Sequence, residues 1–173
     1  MTKLALDELL ISHKGLGPVT IGTDLRTLDP AVSVFFSTRR DCGDGVVRTV
    51  WTSNYPLPRL SEGNLVPDFD AGIQDAGFSG VAIYSPGPRT AVRIQVGSSR
   101  AELLAAYPGI AVGSTGSGKG TYAVYGSPAN LAFDVLGPEA SGFVDVDEIA
   151  SIRFSTLDPA RGTPGFSIPS SWE

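Results

Sequence analysis

The chain has 173 residues, 42% of them hydrophobic and 18% charged, and it carries 21 glycines and 13 prolines. This length and apolar content exclude a charge-driven disordered chain, and the glycines and prolines disfavour a helical bundle because they promote turns and short elements. The formal net charge of -5 lacks the basic surplus that binding to phosphates requires, so we predict that the chain does not bind nucleic acid.

The N-terminal segment predicts neither a signal peptide nor a membrane span. Its apolar stretch, residues 4–11, is too short for either, and no small-residue cleavage site follows it. No later stretch approaches the ~18 consecutive apolar residues of a membrane-spanning helix. A chain from which an export signal had been removed would have the same sequence. His13, the only histidine, stands in a polar stretch, and we expect its side chain to be solvated.

The first half starts with a strand-like run that leads into a short helical turn, together residues 19–28. Thr23 or Asp24 can cap this turn, because their side-chain oxygens accept hydrogen bonds from the free N–H groups at a helix start. Residues 46–52 are rich in β-branched side chains and predict a strand. The three prolines in residues 53–75 then predict a long loop.

The second half contains the clearest helix signal in the chain. Ser99 is a favourable N-cap, and Glu102 three residues later completes a capping box. A Pro-Gly pair at residues 108–109 ends the helix. Its predicted apolar face consists of Leu103, Leu104 and Tyr107.

Three further runs predict strands, at residues 122–125, 131–135 and 149–155. In the middle run, the apolar residues at 131, 133 and 135 alternate with Ala132 and Asp134, which is typical of a strand with one buried and one wet face. The five-residue turn at 126–130 predicts that the first two runs pair as an antiparallel hairpin. These elements indicate an α+β fold.

An internal repeat recurs at an offset of 75 residues. Gly22, Leu28 and Ala31 match Gly97, Leu103 and Ala106, and the run at 78–83 has a counterpart at 149–154. The order of elements recurs as well, which is the usual sign of duplication. We predict one domain, residues 1–173, made of two halves at about 15–85 and 90–156 and an irregular tail, 157–173. Each half places short helices before antiparallel strands, with the helices on one sheet face.

The glycine-rich segment at residues 113–120 resembles a phosphate-binding P-loop only in part. Gly120 stands where a Ser or Thr hydroxyl would hold Mg²⁺, and a strand rather than a helix is predicted to follow. We therefore interpret the segment as a hairpin tip with an exposed Lys119, and a nucleotide site as the weaker alternative.

Nucleophilic and metal chemistry have few candidate residues. Cys42 is the only cysteine, and the carboxylates of Asp41 and Asp44 beside it disfavour a reactive thiolate. No paired His or Cys spacing predicts a metal site, and we expect no cofactor. Acidic residues crowd the last third, where they suit a solvated strand edge or, as an alternative, acid/base chemistry on a glycan or a calcium site. They are Asp134, Glu139, Asp145, Asp147 and Glu148.

Aromatic residues lie on or beside the predicted strands. Some must be core, but several on one wet sheet face would form a surface for a partner, because Tyr, Trp and Arg dominate binding hot spots. Polar residues such as Arg48, Asp134 and Arg153 would share that face. The predicted binding residues are Trp51, Tyr55, Tyr84, Tyr122, Tyr125 and Arg153.

A family resemblance covers residues 15–156. The segment 15–25, GLGPVTIGTDL, resembles the opening of a class of secreted or lipid-anchored actinobacterial proteins, and residues 92–107 resemble that class's second half. The order of elements resembles the tandem-repeat fold of the β-lactamase inhibitor protein, which the small outer-membrane assembly lipoprotein shares as a single unit. Cys42 alone cannot supply the disulfides within each repeat of the inhibitor protein.

The resemblance implies export to the cell envelope or exterior, with a lipid anchor in the precursor for the anchored members. It also implies an antiparallel sheet with short helices on one face and the other face open to a partner. We therefore expect a non-catalytic extracytoplasmic binding module that recognises a protein or envelope component. The alternatives are a carboxylate-dependent hydrolase acting on a glycan and a nucleotide binder.

Overall fold

A computed structural model describes residues 2–31, 33–41, 47–55, 78, 80–84, 86–114, 120–135 and 147–156. Within these ranges the chain forms one α-helix, two short 3-10 helices and eleven strands, an α+β fold that is mostly sheet. The helix is α1 (Arg100–Ala106), and the 3-10 helices are Leu6–Glu8 and Leu25–Thr27. The strands are β1 (Leu10–Ser12), β2 (Gly15–Leu16), β3 (Val19–Thr20), β4 (Phe35–Asp41), β5 (Val47–Ser53), β6 (Gly80–Ile83), β7 (Arg89–Thr90), β8 (Ala111–Ser114), β9 (Gly120–Val124), β10 (Asn130–Val135) and β11 (Ile149–Ser155).

The described strands form three sheets. One has four strands in the order β3-β2-β1-β7, the second has five in the order β6-β11-β10-β9-β8, and β4 pairs with β5 in the third. β1 pairs with β7 in parallel, and β6 pairs with β11 antiparallel. In two of the three sheets, a strand from the middle of the chain therefore lies beside a strand that is distant in sequence.

The main core lies on one face of the five-stranded sheet. The side chains of Leu131, Phe133 and Val135 in β10 are buried, as their alternation predicts. The cross-strand neighbours of Phe133 are Tyr122 in β9 and Ile152 in β11, and both are buried too. Burial on this face thus continues across three strands, which stabilises the sheet by the hydrophobic effect.

The helix α1 packs against this core face. Leu103 is fully buried, and the ring of Tyr107, just after the helix, lies 5.5 Å from the ring of Phe133. Leu104 is 43% exposed, so its predicted place on the apolar face is wrong. A helix of seven residues has a narrow buried stripe, and two adjacent leucines lie about 100° apart around it.

The predicted strands at residues 46–52, 122–125, 131–135 and 149–155 are confirmed as β5, β9, β10 and β11, and β9 and β10 form the predicted antiparallel pair. The predicted loop at 53–75 lies mostly outside the described residues, as do Cys42, Lys119 and the tail, residues 157–173. The sequence did not predict the four-stranded sheet, because strands of two or three residues are too short for a periodic signal.

The capping box of α1 is present as predicted. The Ser99 N–H donates to Glu102 Oε2 at 2.7 Å, and the Glu102 N–H donates to Ser99 Oγ at 3.2 Å. The backbone and then the side-chain hydrogen bond from Ser99 lower the pKa of Glu102 below its ordinary value of 4.5.

This lowered pKa predicts a pH-dependent contribution to stability. A carboxyl whose pKa falls on folding stabilises the protein above its unfolded-state pKa, and the contribution disappears as pH falls through the folded pKa. The stability advantage of the wild type over Glu102→Gln should therefore be complete above about pH 5 and shrink at lower pH, in urea titrations at several pH values. An NMR titration of Ser99→Ala should show the pKa of Glu102 moving back up, and an unchanged value would contradict this assignment.

The same backbone arrangement occurs twice, at Gly22 and at Gly97. The Gly22 N–H donates to the Phe78 carbonyl at 2.7 Å, and the Phe78 N–H returns a bond to the Thr23 carbonyl. The Gly97 N–H donates to the Ile149 carbonyl at 2.8 Å, and Ile149 returns a bond to the residue after Gly97. Both glycines have a left-handed φ, 90° and 91°, and a Cβ at either would meet nothing within 4 Å.

Replacing Gly22 or Gly97 by Ala should therefore destabilise the protein by similar amounts. Neither site has a steric obstacle, so the cost arises from the left-handed backbone alone and should be about 1–2 kcal/mol in each variant. Urea denaturation of the two variants measures it. A loss confined to one of them would show that the two turns are under different constraints.

Candidate functional site

The face of the five-stranded sheet opposite the core carries small and polar side chains. Register places Ala132 of β10 between Ala123 of β9 and Arg153 of β11, and Asp134 beside Thr121 on one side and Ser151 on the other. We call these six residues the polar face. Apart from Arg153, none has a side chain larger than that of Asp134.

The Asp134 carboxylate is the centre of a hydrogen-bond network. Arg153 donates to it twice, from Nε to Oδ2 and from Nη2 to Oδ1, both at 2.8 Å. The Thr121 hydroxyl donates to Oδ1 at 2.9 Å, and the Ser151 hydroxyl donates to Oδ2 at 2.7 Å. Each carboxylate oxygen therefore accepts two hydrogen bonds, and two of the four belong to a bidentate ion pair.

An irregularity in the pairing of β10 with β11 lies directly beside this network. Asp134 pairs with Ser151, whereas the next residue, Val135, pairs with Ile149. The extra residue in β11 lets Ile149 lie in the core while Ser151 still lies beside Asp134, as expected of a β-bulge. Without it, strict alternation would move one of these two side chains to the wrong face.

The polar face is only partly accessible. Ala123, Ala132, Thr121 and Ser151 are buried, and the side chains of Asp134 and Arg153 are 21% and 16% exposed. The ion pair is thus shielded from bulk water on most sides, and its electrostatic attraction is stronger than that of a surface pair.

No family model matches the chain, and no curated protein matches it. Among solved structures, the crystal structure of the uncharacterized protein yfeY from Escherichia coli superposes with a TM-score of 0.51 at 14% sequence identity. The match covers 84% of this chain and 99% of yfeY. The two proteins share a fold. At this identity the likeness concerns the fold alone.

The structure separates the residues that the sequence predicted as one binding surface. Tyr122 is buried in the core, because it lies opposite Phe133 on the helix side of the sheet, and it is therefore not part of an exposed surface. Tyr125 directly follows β9 and is 52% exposed. Tyr84 directly follows β6 and is half-buried. Trp51 pairs with Ser37 in the separate β4–β5 sheet, and its side chain lies outside what the structure describes.

Tyr55 has a packing role at the N-terminal segment. Its hydroxyl donates to the Leu4 carbonyl at 2.9 Å, and the Lys3 ammonium lies 4.2 Å from the ring centroid. Burial, and then the negative charge of Glu8, raise the pKa of Tyr55. These contacts tie Tyr55, two residues after β5, to the start of the chain, and Tyr55 also packs against the buried core.

Two polar-face residues, Thr121 and Ser151, were absent from the predicted site. The position of Thr121 carried a usable signal, because it alternates with Tyr122, whose cross-strand neighbour Phe133 was already predicted as core. Ser151 carried the same signal, because it alternates with the core residue Ile152 and lies two residues before Arg153.

The predicted acidic candidates do not converge within the described residues. Asp147 forms an ion pair with Arg100 at the start of α1, with 2.8 Å between Asp147 Oδ1 and Arg100 Nη2. Asp134 lies elsewhere, on the polar face. Glu139 and Asp145 lie outside the described residues. In the described part of the chain, no three His, Cys, Asp or Glu side chains are grouped to hold a metal, and no helix is long and apolar enough to cross a membrane.

His13 lies in a packed turn, so the prediction of a solvated side chain is wrong. Its Nδ1 is 2.8 Å from the Ala129 carbonyl, and the Ala129 N–H donates to the His13 carbonyl. The ring also lies directly against Gly126. The turn after β1 is thus joined to the turn between β9 and β10.

Gly120 begins strand β9, so the chain after the glycine-rich segment is extended and not helical, as predicted.

Proposed function

We propose that this protein is a non-catalytic extracytoplasmic module that binds a protein or cell-envelope partner through the polar face and the adjoining Tyr125. One observation carries the proposal: the protein itself completes every hydrogen bond of the Asp134 carboxylate. Such a group is a fixed part of a surface, with no lone pair reserved for a substrate proton. Preorganisation of this kind favours binding because little ordering is left to be done when a partner docks.

The composition of the polar face also suits a docking role. Arginine is enriched in protein interfaces, and Arg153 is held flat on the sheet by its two bonds to Asp134. Tyr125 contributes an exposed aromatic ring of the type that dominates hot spots.

A glycan hydrolase finds less support among the same residues. Acid/base catalysis on a glycan needs two carboxyl groups on either side of the scissile bond, with room between them for the sugar. Asp134 and Asp147 are each committed to an arginine, in different parts of the fold. A proton-transfer role for Asp134 would require breaking the bonds from Thr121, Ser151 and Arg153 first.

We also propose that the chain is a tandem repeat of the type seen in the β-lactamase inhibitor protein. The repeated hydrogen bonds at Gly22 and Gly97 support this proposal. The pairing of β6 with β11 supports it independently. Residues 81 and 83 correspond to 152 and 154 in the sequence, and the structure pairs Val81 with Phe154 and Ile83 with Ile152. A two-fold relation between the halves requires this register, because exchanging the halves turns one pair into the other.

Site-specific photo-crosslinking tests the binding proposal. A benzoylphenylalanine introduced at Tyr125 should form a discrete adduct when the intact protein is incubated with the native envelope fraction, and excess unlabelled wild type should compete it away. The matched control is the same probe at Val92, an exposed apolar residue 47% accessible in another turn. Adducts of equal yield at both positions, or none at Tyr125, would sink the proposal.

A further inference from the structure

His13 lies in the turn of a short hairpin whose strands are anchored in the core. It directly follows β1, where Ile11 pairs with Leu16 of β2, and both of these side chains are buried. The backbone of the turn is also held, because the Lys14 carbonyl accepts a hydrogen bond from the Ile21 N–H at 2.8 Å. The imidazole is therefore carried by a part of the backbone that is itself fixed.

From this hairpin, His13 contacts both ends of the turn between β9 and β10. At the second end, its Nδ1 lies 2.8 Å from the Ala129 carbonyl, and its own carbonyl accepts from the Ala129 N–H at 3.2 Å. The Ala129 side chain is fully buried. At the first end, the ring lies directly against Gly126, whose N–H donates to Asn130 Oδ1 at 3.1 Å. Contacts thus hold the turn at its start and at its end.

The hydrogen bond to Ala129 determines which imidazole nitrogen carries the proton. A backbone carbonyl only accepts, so His13 Nδ1 is the donor and Nε2 of the neutral ring is the unprotonated nitrogen. Because His13 is the only histidine of the chain, the imidazole signals in an NMR spectrum belong to this residue alone. The tautomer therefore reports directly whether the contact is made.

Tyr125 lies between the end of β9 and the glycine that His13 contacts. Val124 before it packs against the core, whereas Tyr125 itself is 52% exposed. We propose that His13 is a positioning residue for partner binding, because it fixes the backbone that presents the Tyr125 ring. His13 has this role only if Tyr125 contacts a partner, so it rests on the proposed function. A backbone that is ordered before docking lowers the entropy lost on binding.

NMR of the purified protein tests the positioning without a partner. At about pH 8, where histidine side chains are neutral, the imidazole nitrogens should show the Nδ1–H tautomer. The order parameter of the Tyr125 amide should be about 0.85 in the wild type and about 0.6 or below in His13→Ala. His13→Asn should restore the order, because its amide nitrogen can donate in place of Nδ1. An Nε2–H tautomer, or equal order parameters in the wild type and His13→Ala, would overturn the inference.

Competition for the Tyr125 photo-adduct tests whether this order matters for binding. Unlabelled protein competes with the benzoylphenylalanine-labelled protein for the envelope fraction. Half-competition should require about three- to tenfold more His13→Ala than wild type, because a lost hydrogen bond lowers the population of the binding-competent turn. The matched control is Gly97→Ala, which we expect to lose at least as much stability. It alters a turn bonded to Ile149, and it should compete like the wild type.

The outcomes of this competition separate the two proposals. If the Tyr125 adduct forms but His13→Ala competes as well as the wild type, the positioning role is wrong and the proposed function stands. Competition by Gly97→Ala as weak as that by His13→Ala would assign the effect to stability and would also contradict the positioning role. A missing Tyr125 adduct overturns the proposed function, and the role of His13 in binding with it.

Discussion

Replacing Asp134 by Ala should lower the free energy of unfolding by about 2–4 kcal/mol. The variant removes the Asp134 carboxylate from the Arg153 guanidinium, which is mostly shielded from water, and it removes the acceptor for the Thr121 and Ser151 hydroxyls. Breaking one partner of a buried ion pair costs about 3–5 kcal/mol, and the residual exposure of the two side chains lowers that figure. Urea denaturation of the wild type and variant gives the difference directly.

A second variant identifies the cause of this loss. In Asp134→Ala/Arg153→Met the shielded cation is also removed. We expect the double variant to recover about half of the loss, since the coupled terms of an ion pair are not additive. A matched control comes from the exposed pair of Asp24 and Arg26, which has the same bidentate geometry at 2.8 Å. Arg26→Ala should hardly change the melting temperature, because surface ion pairs contribute little. Equal losses in Arg26→Ala and Asp134→Ala would show that shielding of the pair is unimportant.

Features of this fold that depend only on neighbouring residues in the sequence could be predicted. The Ser99–Glu102 capping box and the buried alternation of β10 are both set by short-range chemistry, so the sequence reports them. The burial of Tyr122 could not be predicted in this way. Whether a strand tyrosine lies in the core depends on which face the helix covers, and that is decided by α1 and β10 together.

The candidate site was harder to predict because its partners are distant in sequence. Asp134 and Arg153 were each predicted on a wet face, but the antiparallel register that sets Arg153 diagonally beside Asp134 joins two strands whose sequences do not specify it. The bulge in β11 beyond Ser151 leaves no periodic signal either, since it is an exception to the period. His13 failed for a related reason: its neighbours come from a turn more than 110 residues away, and a polar local sequence carries no information about them.

The contact between His13 and Gly126 predicts the second large effect. A Cβ built on Gly126 would overlap the His13 imidazole, including the ring carbon nearest the backbone, so the ring cannot avoid it by a small rotation. Moving the ring would also break its hydrogen bond to the Ala129 carbonyl. Gly126→Ala should therefore destabilise the protein by about 1–3 kcal/mol, as overpacking typically does, measured by urea denaturation.

The His13→Ala background separates this steric explanation from a general preference for glycine in the turn. His13→Ala alone should cost about 1 kcal/mol for the lost hydrogen bond. Once the ring is absent, adding Gly126→Ala should change stability by less than about 0.5 kcal/mol, because neighbouring sites that share one obstacle couple strongly. If Gly126→Ala costs the same in both backgrounds, the imidazole is not the obstacle, and the contact joining the turn after β1 to the β9–β10 turn does not constrain the fold.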